Sequence, residues 1–170
     1  MRIRIIAGSV VSVVGLVALL GLWWAVAEGP LRNPSDALED FYEAKDRAED
    51  QLLDPLILTG RSVVPLVLKE LPNKDMRNRR YAIGFLGNGR YSGALPRLEV
   101  ILNDESEIYY FRSDALEAIF QISQARAKEL APNFIHGQEL LGEVAREIVA
   151  GKNPIHFERS YWDAFWRVHD

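Results

Sequence analysis

Cysteine is absent from this chain of 170 residues. Disulfides, zinc–thiolate sites, iron–sulfur clusters and thiol catalysis are therefore excluded. Basic charge is in short supply as well: 20 Lys and Arg stand against 24 Asp and Glu, a net charge of −4. A general nucleic-acid binder needs a basic surface, so that class is disfavoured. Of the three histidines, His136, His156 and His169, no two are spaced i, i+3 or i+4 to form a helical metal pair. No acid trio has calcium-loop spacing, and no glycine-rich phosphate loop precedes a helix. Gly84-x-x-Gly87-x-Gly89 sits at the end of one instead. The G-x-S-x-G elbow is missing too. These absences leave no catalytic residue, cofactor or metal to assign, and a non-enzymatic role is expected. Sustained apolar–polar alternation is also lacking, which disfavours strands.

Apolar residues are plentiful, at 48% of the chain, and unevenly spread. From Ile5 to Ala27 run 23 residues without a charge. As a helix this run measures about 34 Å, enough for a hydrocarbon layer about 30 Å thick. The expectation is a transmembrane signal-anchor helix over 5–27, with residues 1–4 cytoplasmic. Arg2 and Arg4 precede it, and Trp23 and Trp24 stand at its far end, where indole suits the headgroup interface. The basic bias places the protein in the cytoplasmic (inner) membrane as a single-pass chain, with residues 28–170 on the periplasmic side. Ala25-Val26-Ala27 leaves cleavage after Ala27 open as an alternative. Gly8, Ser12 and Gly15 recur on one face, a stripe through which two spans could form a weak homodimer.

Beyond a linker at 28–33, the pattern is helical throughout. Asn33-Pro34 reads as an N-cap with proline at the first helical position. Ala37, Leu38, Phe41, Ala44, Ala48 and Leu52 then follow at helical spacing, giving an N-terminal capping helix over 34–53. Asp54-Pro55 repeats the cap-plus-proline signal. Further helices are expected at 55–60, 63–71, 75–86, 92–102, 108–122 and 137–150, with Gly87-Asn88-Gly89 supplying a left-handed helix end. Two segments match internally. Val63-Val64-Pro65 and Ala94-Leu95-Pro96 are offset by 31 residues, with Leu71 and Leu102 six residues after each proline. Arg79-x-x-Ala82-x-x-Phe85-Leu86 and Arg112-x-x-Ala115-x-x-Ala118-Ile119 are offset by 33. Paired helices at such a period signal an α-solenoid, whose units bury their faces by stacking. The fold class read from the sequence is all-α.

At these residues, RRYAIGFLG followed by SGALPRLEVILND and again FRSDALEAIFQI, the chain resembles the HEAT-repeat family in its short bacterial, phycobilisome-lyase-like variety. The resemblance covers residues 54–123 and implies a short solenoid of helix pairs, with 124–170 forming C-terminal helices and an aromatic cap. It further implies that the arginine at position 79 or 80, and that at 112, pairs with an acid of the next repeat, for which Asp75, Asp104 and Asp114 are candidates. The hydroxylase branch of HEAT-like proteins uses His-Glu dipeptides, and this sequence has none.

Three surface features are candidates for contact with a partner. Arg77, Arg79 and Arg80 cluster at one helix start, with Arg90 and Arg97 beyond. Residues 36–54 hold eight acids against Lys45 and Arg47, which suits either a solvated face or docking of a basic partner. The C-terminal stretch HFERSYWDAFWRVHD carries five aromatics, read either as a cap folded onto the last repeat or as a docking rim. Arg77, Arg80, Arg90, Trp162 and Trp166 are the expected protein-binding residues, and Arg2, Arg4, Trp23 and Trp24 the membrane-interface residues. The expected role is an adaptor or scaffold for another envelope or membrane protein, without nucleic acid. Alternatives are a lyase-like or tetrapyrrole-handling helper and a small inhibitor or immunity protein.

Overall fold

The structure is a computed structural model, and it describes residues 15–21, 33–44, 48–137, 139–155 and 158–169, the side chains of Asp50, Glu139 and residues 166–169 excepted. All regular structure among the described residues is helical. Residues 15–21 are helical and solvent-facing (α1). The body of the molecule comprises α2 (Pro34–Glu43), α3 (Asp54–Thr59), α4 (Val64–Glu70), α5 (Arg79–Asn88), α6 (Leu95–Asn103), α7 (Tyr109–Ile122), α8 (Gln124–Leu130), α9 (Glu139–Val149) and α10 (Tyr161–His169).

The expected membrane span is overturned. Among the described residues, no helix is long and apolar enough to cross a membrane. The described part of the 5–27 run is the seven residues 15–21, about 10 Å of helix against a hydrocarbon layer about 30 Å thick. The single-pass anchor, the inner-membrane location, the periplasmic placement of residues 28–170 and contact with a lipid bilayer all depended on that span, and all are corrected with it. Arg2, Arg4, Trp23, Trp24, Gly8 and Ser12 lie outside the described residues. Gly15 is exposed.

Local sequence chemistry explains most helix starts. Proline occupies the first turn of α2, α3, α4 and α6, where its missing N–H has no helical partner to lose. The Asn33 carboxamide oxygen accepts from the Ser35 backbone N–H at 2.9 Å, capping α2. Ser123 does the same for Arg126 at the start of α8, a helix absent from the sequence reading. Asp54 is no cap: it lies inside α3, and its carboxylate is engaged elsewhere. Helix α2 stops at Glu43, short of the expected end, and the Phe41 carbonyl accepts from the Asn78 side chain at 2.7 Å. Asn78 is itself left-handed, so α5 begins at Arg79 rather than at residue 75.

The helix end at 87–90 also differs from expectation. Gly87 and Gly89 are not left-handed; Arg90 is, with φ 52°. The Tyr91 N–H reaches the Leu86 carbonyl at 3.2 Å and the Arg90 N–H reaches Gly87 at 2.8 Å, the paired bonds of a Schellman ending. Helix α9 closes the same way, with Gly151 in the left-handed position. Gly87 is needed for another reason: a Cβ there would lie 2.6 Å from the Ala118 Cα, so α5 and α7 approach closely at this point.

Helix α7 is the centre of the molecule, packed against α5, α6, α8 and α9. Ser113, Ala115, Leu116, Ala118, Ile119 and Phe120 are all buried on it, as befits a helix covered on most sides. Helices α2, α3 and α4 form the N-terminal part, and one continuous apolar cluster runs from Phe41 to Ala164. Helix α10 packs on α3, at the opposite end of the chain from the last helix pair. The segment leading into it is tied down by Arg159. Its guanidinium meets Asp54 at 2.6 Å with both side chains under 5% exposed, and its backbone is bracketed by the Asn88 carboxamide at 2.6 and 2.8 Å.

Candidate functional site

Helices α5, α7 and α9 lie side by side, α5 against α7 and α7 against α9. Each contributes a stripe of residues spaced three or four apart, the spacing that puts side chains on one helix face. Between them lies a groove of about 390 Å³. From α5 come Arg80, Tyr81 and Gly84; from α7, Ser113, Asp114, Glu117, Ala118 and Gln121; from α9, Leu140, Glu143 and Val144. Glu49 and Leu53, from the turn before α3, complete the lining. That volume falls in the range of about 300–1,000 Å³ typical of ligand pockets.

The principal ion pair in the wall is Arg80 with Asp114, bidentate at 2.7 and 3.3 Å. The guanidinium carbon also sits 5.9 Å from the Tyr110 ring centroid. Asp114 is 16% exposed and Arg80 49% exposed, so water screens the cation more than the anion. Burial consequently pushes the Asp114 carboxyl above its ordinary value, although the Arg80 hydrogen bond pulls the other way. Burial also raises the Tyr81 hydroxyl, helped by the charge of Glu49 beside it.

Elsewhere the charged side chains serve the frame. Arg79 donates to Glu107 at 2.6 Å, both under 5% exposed, and lies 5.2 Å from the Phe111 ring centroid. Arg79 Nε also donates to the Leu71 carbonyl at 2.8 Å, and Arg112 Nε donates to the Leu102 carbonyl at 2.9 Å. These are the two arginines and the two leucines that match in the internal repeat. Of the acids expected to pair with arginine, Asp114 does so. Asp104 instead takes Lys74 at 2.7 Å, and this cation together with Ser106 holds the Asp104 carboxyl well below the usual carboxylate range. Glu99 binds Arg126 through two bonds of 2.8 and 2.6 Å, which lowers its carboxyl too.

Of the four expected protein-binding residues whose side chains are described, Arg80 alone is among those lining the groove. Arg77 is exposed ahead of α5. Arg90 is exposed at the far end of that helix, 3.5 Å from Glu158. Trp162 is exposed on α10, and the Trp166 side chain lies outside the described residues. Arg97 is exposed on α6. The acidic run 36–54 does not form one face: Glu49 lines the groove, whereas Asp54 is buried against Arg159. Glu117, Glu143 and Leu140 were not singled out from sequence. Their helical spacing was readable, but not that their faces meet. Among the described residues, no group of three or more His, Cys, Asp and Glu side chains is placed to hold a metal ion. Set against known proteins, the chain matches no family model, no curated protein and no solved structure.

Proposed function

We propose that this chain is a short HEAT-like repeat module that acts without catalysis, as an adaptor or scaffold, by docking a segment of another protein in the groove between α5, α7 and α9. The groove is the observation that carries the reading. It is concave, part of its lining is aliphatic, and most of its lining residues stand on three helices, which suits docking of a preformed partner surface. The repeat architecture is supported by a hydrogen bond made twice. The matched arginines, Arg79 and Arg112, each donate Nε to the carbonyl of the matched leucine that precedes them, Leu71 and Leu102. A recurring bond at corresponding positions is what stacked copies of one supersecondary unit produce.

A photo-crosslinking side chain at position 143, in the groove, compared with one at position 129 on exposed α8, tests the docking face in the cell that makes the protein. A discrete adduct from 143 and none from 129 is the expected result. Equal labelling from both positions, or none from either, would refute the reading.

A further inference from the structure

The groove is charged mainly in one sense. Among the described lining residues there are four carboxylates, Glu49, Asp114, Glu117 and Glu143, and one guanidinium, that of Arg80, itself held bidentately by Asp114. The apolar part of the lining is aliphatic: Leu53, Ala118 and Val144 are buried, while Leu140 stands 42% exposed. Gly84 leaves a notch in the lining, where an added Cβ would meet nothing within 4 Å.

We infer that the groove is built for a lysine- or arginine-bearing segment of a partner protein, its aliphatic side chains on the apolar lining and its cations against the carboxylate wall. This rests on the docking reading above and adds the chemical class of the partner. Charge complementarity selects the class, because like charges placed against this wall would be repelled and opposite charges steered in. The aliphatic lining selects a protein segment over a small polycation, since it offers burial only to a ligand with apolar side chains of its own.

The test uses the full chain, isotopically labelled, and three short amphipathic peptides of leucine with lysine, leucine with serine, and leucine with glutamate. Backbone resonances of Gly84, Ala118 and Val144 report occupancy. The lysine peptide is expected to shift them, with affinity falling as salt rises. Glu143→Lys should weaken that peptide about tenfold, and Gly84→Leu, which fills the notch, should abolish the shifts without lowering the melting temperature. If the serine or glutamate peptide shifts the groove resonances as strongly, the cationic assignment fails while docking survives. If no peptide shifts them, both fail. Lysine-peptide binding that ignores Glu143→Lys and Gly84→Leu would place the contact elsewhere and also overturn the inference.

Discussion

Gly84 and Gly87 stand three residues apart on α5 and meet opposite surroundings. Gly84 opens on the groove, and Gly87 is pressed against Ala118 of α7. Alanine at 84 fills empty space and restores helix propensity, so Gly84→Ala should stabilise by about 0.5–1 kcal/mol. Alanine at 87 must push two helices apart, and Gly87→Ala should destabilise by about 1–3 kcal/mol. Urea titration of both variants checks the pair of signs. Asp114 gives a second test at this scale. Its carboxyl is raised by burial, so the folded state holds its proton more tightly than the unfolded chain does. Wild-type stability from this group is therefore greatest below the ordinary value of 3.8 and declines as pH rises through the folded value. Asn cannot titrate, so the stability of Asp114→Asn relative to wild type should increase from pH 3 to about pH 7. A difference that shrinks over that range would mean the Arg80 pair outweighs burial. The family resemblance implies an acid partner for Arg79 or Arg80 and offers Asp75, Asp104 and Asp114 for it, while Arg80 is also an expected protein-binding residue. The sequence did not mark Glu107, whose partner is 28 positions away, because spacing defines helix faces without saying which faces oppose.

At the scale of the helices, α7 dictates what its neighbours can carry. Ala82 of α5 and Ala115 of α7 occupy matched repeat positions, and both are fully buried. Replacing either with Phe should destabilise by about 1–3 kcal/mol, because close-packed helices leave no room for a ring. Thermal melts followed by circular dichroism check this; unchanged melting in both would mean the repeat register is misplaced. All-helical character was legible from the missing alternation, and the starts of α2 and α3 from Pro34 and Pro55; α4 and α6 begin at Val64 and Leu95, after the expected starts at 63 and 92. Helix ends were less legible. The end of α2 coincides with a long-range bond from Asn78 to the Phe41 carbonyl, and the end of α5 uses Arg90 where glycine is the usual residue. Local composition carries neither signal.

Across the whole molecule, the chain folds back on itself. The aromatic helix α10 does not seal the last helix pair; it returns to α3, guided by Arg159 and Asp54 across 105 positions. Tyr161 and Phe165 stack at 5.9 Å along that helix. A pairing so distant in sequence has no periodic signature, so the packing of α10 on α3 differs from a cap on the last repeat, one of the two readings of the aromatic stretch. Arg159→Ala leaves the buried Asp54 carboxylate without its cation and should cost about 3–5 kcal/mol. Converting Asp54 to Leu in the same protein should recover part of that loss, because the uncompensated charge is then gone. Chemical denaturation of the single and double variants measures both. Whether the groove between α5, α7 and α9 is a working surface is tested most directly by the adduct formed by the crosslinker at position 143 when Gly84 is also changed to Leu. The expected result is loss of the adduct with melting temperature retained; an adduct of undiminished yield from that blocked groove would contradict the account.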